Sequence, residues 1–168
     1  VKNRQYLVRT SSTMDGDFGG LKEADALCLS DLTSQTWLGK EGAELNKATV
    51  KAFLCDSSTC QNTDANKEFF FARSGSATSG GASFTTNGSG IGPNNSDFWH
   101  ISSHFDSNSI YWAGRSGTNN TQWAETSAAD NCTDWTSNSA VVHGSLGTTG
   151  ASTYYRWNYY ADDCNDLR

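Results

Sequence analysis

Positive charge is scarce in this chain, and the scarcity excludes two classes of partner. Lys and Arg number 12 against 18 Asp and Glu, a formal net charge of −6 over 168 residues, with no basic cluster. Phosphate backbones and anionic bilayers are both gripped by concentrated positive charge, so neither nucleic acid nor an anionic membrane surface is an expected partner. Long apolar runs are missing as well. None approaches the ~20 residues that cross a bilayer, so no membrane insertion is expected. Val1 to Thr10 also lacks the apolar region of a signal peptide. For an exported protein the signal would lie outside these residues.

Catalytic patterns are equally thin. There is no Gly-x-Ser-x-Gly elbow, and 22 Ser make any single one uninformative. Cys55 and Cys60 are too far apart for a Cys-x2-Cys zinc pair, and no matching pair follows. His100 and His104 have the spacing of a metalloprotease pair, but no Glu follows His100. On a strand over Phe98 to Ile101 that spacing does not converge as it would on a helix. His143, in Val-His-Gly, has no acidic neighbour in sequence and reads as structural. The chain reads as a non-enzyme without a cofactor. The alternative is an extracellular metal-dependent hydrolase using His100, His104 and an acid such as Asp106.

What the chain has in quantity is hydroxyl, amide and glycine: 22 Ser, 18 Thr, 14 Asn and 16 Gly. Six Trp, six Tyr and eight Phe argue against disorder, since disordered chains are poor in aromatics. The length fits one domain over 1–168, burying roughly 70% of the surface of the unfolded chain. Five cysteines are best explained by oxidised pairing, which implies an extracellular or periplasmic setting.

Along the chain, Gln5 to Thr10 reads as a strand and Ser11 to Gly20 as a turn-rich loop. Leu21, Ala24, Leu27/Cys28 and Leu32 then recur at helical spacing, which puts Cys28 on a buried face. A second helix is expected between Gly42 and Val50. Lys51 to Asp56 and Phe69 to Ala72 read as strands, and Ser74 to Asn95 as a long surface loop, functional or mobile. Short strands follow at Phe98 to Ile101, Ser109 to Trp112 and Asp134-Trp135, with Tyr154 to Trp157 the last. Helices early and short strands late, without β–α alternation, give an α+β domain.

Five blocks carry a family resemblance. They are Tyr6 to Ser11 leading through Asp15-Gly16-Asp17-Phe18-Gly19-Gly20-Leu21 to Ala24-Asp25-Ala26-Leu27-Cys28; Lys51 to Ser57; Tyr111-Trp112-Ala113-Gly114; Asn131 to Ser137; and Cys164-Asn165-Asp166-Leu167-Arg168. In this order they resemble a bacterial surface-protein domain of unknown function, known from large spirochaete proteins and grouped with C-type-lectin-like and endostatin-like folds. Gln61 to Asn108 matches no block, and the family pattern runs on to an aromatic and a final Cys that this chain lacks.

The resemblance implies a C-type-lectin-like fold with early helices, short antiparallel strands and disulfide-stapled loops. It implies a Cys132–Cys164 bridge, worth roughly 3.5–4 kcal/mol in the chain-entropy model, and a smaller local Cys55–Cys60 staple. Cys28 is then left alone, its expected partner lying beyond Arg168. The plain alternative is a buried free thiol acting as a small hydrophobe.

Sugar-binding C-type lectins hold calcium with a Glu-Pro-Asn loop and a Trp-Asn-Asp strand. Here Gly92 precedes Pro93-Asn94, and Tyr159 follows Trp157-Asn158, so two charged ligands are missing and no metal site is expected. Asp162, Asp163 and Asp166 read as a solvated acidic turn, and Asp15-Gly16-Asp17 is no stronger a cation signal.

Trp112 and Trp135 fall in family-like blocks and read as core. Trp99, Trp123, Tyr155, Trp157 and Tyr159 flank polar loops, where aromatic faces beside amides suit a sugar ring or a protein epitope. The contact candidates are Asn94, Asn95, Asp97, Trp99, Trp123, Tyr155 and Trp157. The sequence thus predicts an extracellular adhesion module that binds a glycan or protein on another surface. Such domains sit at fibre tips, which suggests a homo-oligomer (a trimer) through a stalk outside this sequence. A structural spacer domain is the third reading.

Overall fold

A computed structural model describes residues 5–34, 49–73, 83–90, 94, 110–119, 122–125, 131–148 and 160–168. Within them, helices and sheets coexist as the α+β reading requires. The first sheet has the order β1-β2-β3: β1 (Gln5–Arg9) runs parallel to β2 (Glu68–Arg73), which pairs antiparallel with β3 (Ser83–Thr85). The second is antiparallel, β4 (Ile110–Trp112), β7 (His143–Thr148) and β8 (Tyr160–Asp163) in the order β4-β7-β8. β5 (Arg115–Asn119) and β6 (Gln122–Glu125) form an antiparallel ribbon.

Cross-strand aromatics set the first sheet. Phe69 lies opposite Phe84 and stacks on it at 5.7 Å between centroids, while Tyr6 meets Phe70 at 6.0 Å. Such pairs are the unit of sheet stabilisation. They also explain why the expected Ser74–Asn95 loop contains a strand: one buried Phe84 on a short polar segment is enough to anchor β3.

Helix α1 (Leu21–Ser34) starts after Gly19 and Gly20, both at positive φ, where the glycines turn the chain into the helix. Its buried residues are Ala24, Asp31 and Leu32; Leu27 is 37% exposed, and Cys28 is half-buried with a free thiol. The buried Asp31 was not anticipated. Its carboxylate accepts from the backbone N–H and hydroxyl groups of both Ser11 and Ser12, at 2.6 to 3.2 Å. Four donors satisfy a charge that burial would otherwise make costly.

Both expected disulfides are present, Cys55–Cys60 and Cys132–Cys164. Cys132, Cys164, Trp135 and Leu146 are fully buried at the centre of a core shared with Phe18, Leu54 and Trp112. Phe18 stacks on Trp135 at 5.3 Å, and Trp112 meets Trp135 edge-on at 6.0 Å. Trp112 and Trp135 are therefore core, as their sequence context implied.

Two expected strands are built otherwise. Asp134-Trp135 is not a strand but part of a single turn, α2 (Cys132–Trp135), in which all four residues have φ between 52° and 63°. The left-handed conformation costs roughly 1–2 kcal/mol per non-glycine residue, so tertiary contacts must hold it. Lys51–Asp56 is not a strand either, apart from a bridge between Cys55 and Cys60. The Ala52 N–H donates to the Asp25 side chain on α1 and the Leu54 N–H to the Ala52 carbonyl, so two donors that a ladder would use are taken up elsewhere. The last described strand is β8, whereas Tyr154 to Trp157 lies outside the described residues, as does Phe98 to Ile101. Of the helix expected between Gly42 and Val50, residues 42–48 lie outside them, and Thr49 and Val50 are not helical.

Candidate functional site

The sequence-derived contact residues fall mostly beyond what the structure describes. Asn95, Asp97, Trp99, Tyr155 and Trp157 lie outside the described residues, as do His100, His104 and Asp106. Trp123 sits on β6 opposite Gly117, with its side chain outside the description. Asn94 is placed. It is exposed, and its backbone N–H donates to the Thr85 carbonyl at 2.8 Å.

The surface from which Asn94 projects is knitted by hydroxyls. Fully buried Thr86 donates from Oγ1 to the Asp64 carbonyl and accepts the Lys67 N–H at 2.9 Å. The Thr63 hydroxyl donates to the Gly90 carbonyl at 2.8 Å, and the Asn66 N–H reaches the Asn87 carbonyl at 3.1 Å. Segments near 64 and 87 are thereby fixed to each other by hydrogen bonds.

A second fixed region surrounds α2. Asn131 is fully buried; its Oδ1 accepts the Asp134 N–H at 3.0 Å and its Nδ2 donates to Asp134 Oδ1 at 2.8 Å. The same carboxylate accepts the Ser57 N–H and hydroxyl, each at 2.7 Å, which docks the small disulfide loop onto the left-handed turn. Gly144 packs against Cys132 and Trp112 so closely that a Cβ would lie 2.7 Å from each.

At the chain's last residues, the acidic turn is answered from within. Arg168 forks over Asp162 and Asp166. Burial pushes the Asp162 carboxyl up, but the hydrogen bond from Arg168, the Asp163 N–H and the guanidinium charge outweigh it and hold Asp162 below the ordinary carboxylate value. His143, expected to lack an acidic partner, has one: the β7–β8 register sets it opposite Asp163, with Nε2 to Oδ1 at 3.1 Å. A sequence separation of 20 residues hid that pair. Among the described residues no group of three or more His, Cys, Asp or Glu is placed to hold a metal ion.

The described residues also enclose a partly open cavity of about 160 Å³. β1 contributes Leu7, Val8 and Arg9, and α1 contributes Ala24, Leu27 and Cys28. Phe53, Leu54, Trp112 and Arg168 close further sides. Burial raises the Cys28 thiol to about 11, helped by the charges of Asp25 and Asp31, so it stays protonated and a poor nucleophile near neutrality. Sequence reasoning missed this cavity, because its walls come from segments more than a hundred residues apart. The one signal in the sequence is the apolar stripe of α1, whose spacing points equally to a core face.

Comparison of the chain with protein-family models, with curated proteins and with solved structures finds no match.

Proposed function

We propose that this protein is an exported binding module of C-type-lectin-like architecture, similar to bacterial surface-protein domains, which recognises a glycan or protein through polar, aromatic-bearing loops. The observation that carries this reading is the disulfide-linked frame. Cys132–Cys164 closes a loop of 32 residues in sequence separation at the most buried point of the core, and Cys55–Cys60 is docked beside it through Asp134. Bridges of this kind persist in oxidising compartments, which supports an extracellular setting. A frame held by sulfur and aromatic packing allows long hydroxyl- and amide-rich segments to be presented with less ordering cost on binding. Loops on a fixed scaffold are where binding residues concentrate.

The decisive experiment is a glycan and surface-protein array probed with the oxidised protein, with and without EDTA. Saturable binding, weakened by Trp99→Ala or Trp157→Ala and indifferent to EDTA, supports the module. No saturable ligand in either condition would sink it in favour of a spacer. EDTA-sensitive turnover of a substrate, lost in His104→Ala, would instead favour the hydrolase.

A further inference from the structure

Of the 14 Asn in the chain, Asn87 alone is followed by Gly. The pair opens a tight turn over 87–90, in which the Gly90 N–H donates to the Asn87 carbonyl at 3.1 Å. The Asn87 side chain folds over the same turn, and its Oδ1 accepts the Ser89 N–H at 3.0 Å. Gly88 is exposed, and a Cβ built on it would meet nothing within 4 Å. Among the described residues the Gly88 N–H donates to no acceptor. An unengaged amide nitrogen thus follows a side-chain carbonyl whose oxygen is already hydrogen-bonded.

We infer that Asn87 is a site of self-modification, where the turn converts the side-chain amide to aspartate and isoaspartate without an enzyme. The Gly88 nitrogen loses its proton to solvent base, and its electron pair forms a bond to Cγ of Asn87. Negative charge develops on Oδ1 as it does so, where the Ser89 N–H is in place to stabilise it. The Cγ–Nδ2 bond then breaks, and the nitrogen takes a proton from solvent and leaves as ammonia. A cyclic imide remains, which water opens at either carbonyl. Opening at Cγ breaks the new bond and gives aspartate. Opening at the main-chain carbonyl breaks the old peptide bond and gives isoaspartate, in which the chain runs through Cγ. The sum is one water consumed and one ammonia released, with nothing oxidised or reduced. Glycine suits the attacking position because it has no Cβ to crowd the ring closure. Asn131 has the opposite setting, fully buried, with both side-chain polar atoms engaged and Cys132 after it. Either product adds a carboxylate that is ionised near neutrality, one more negative charge on a chain at −6. In isoaspartate that carboxylate is the former main-chain carbonyl, the acceptor of the Asn66 and Gly90 N–H groups. Conversion therefore rebuilds the surface that presents Asn94.

The test is to hold the folded, oxidised protein in mildly alkaline buffer, follow its charge by ion exchange and map the product by peptide mass spectrometry. A species with one more negative charge should accumulate. The change should lie in the peptide that carries Asn87, and an isoaspartyl methyltransferase should label that peptide. Gly88→Ala should reduce conversion at Asn87 to the level of the other asparagines. That variant should fold normally, because a Cβ at Gly88 has open space and the backbone there is not left-handed. A native protein that keeps its charge overturns the inference, whether or not a urea-unfolded sample alongside it converts. A charge gain mapped to another asparagine, or a rate unchanged in Gly88→Ala, overturns it as well.

Discussion

The indole N–H of Trp135 donates to the carbonyl oxygen of Cys55 at 2.8 Å across 80 residues of sequence, in a fully buried setting. This bond joins the two disulfide regions. The ring also carries Phe18 on one face, Trp112 at its edge and Gly114 close against it. Trp135→Phe keeps much of the packing but leaves the Cys55 carbonyl without its donor. It should cost about 1–3 kcal/mol, more than a surface change, read as a lower urea midpoint.

The two disulfides should differ in worth. Removing Cys132–Cys164 with a Cys132→Ala/Cys164→Ala pair should destabilise by roughly 3.5–4 kcal/mol or more, because it opens the longer loop and empties part of the core. Removing Cys55–Cys60 should cost about 2 kcal/mol. Equal losses in chemical denaturation would contradict this loop-length account.

Asp31 tests whether a buried carboxylate holds the junction between β1 and α1. Asp31→Ala strands the backbone N–H groups of Ser11 and Ser12 and should lower stability by about 2–4 kcal/mol. Thermal melts with Ser11→Ala and Ser12→Ala as single and paired variants would show coupling to Asp31 rather than additivity.

Cys28 should label slowly and alone. With its pKa raised to about 11, its thiolate fraction near neutrality is small. Alkylation of the native oxidised protein should therefore modify one thiol per chain, its rate rising about tenfold per pH unit up to that value. Mass spectrometry finding five reactive thiols would refute the exported assignment.

Acid should weaken the protein through Asp162 and Asp56. Burial pushes each carboxyl up, but hydrogen bonds from Arg168 and Asp163 at Asp162, and from Ser58 and Thr59 at Asp56, leave both below the ordinary 3.8. A folded value under the unfolded one means their contribution is complete above 3.8 and is lost as pH falls through the lower folded value. Arg168→Gln should flatten the stability–pH curve in that acid range, measured by denaturation between pH 2 and pH 5.

Much of the frame was legible before any coordinates. The 3.6-residue spacing from Leu21 to Leu32 gave α1, and the Phe69-Phe70-Phe71 run gave β2. Both are local patterns that a backbone period imposes on side chains. Five cysteines among many aromatics gave an oxidised, folded domain, and the order of the blocks around Cys132 and Cys164 gave the bridge that the structure contains. Tertiary structure alone decided the left-handed turn at Cys132–Trp135, the partnership of Asp31 with Ser11 and Ser12, the His143–Asp163 pair and the cavity beside Arg9. Each arises where distant segments meet. The side chain's partner, or the strain a residue tolerates, is set there by neighbours that no local spacing specifies.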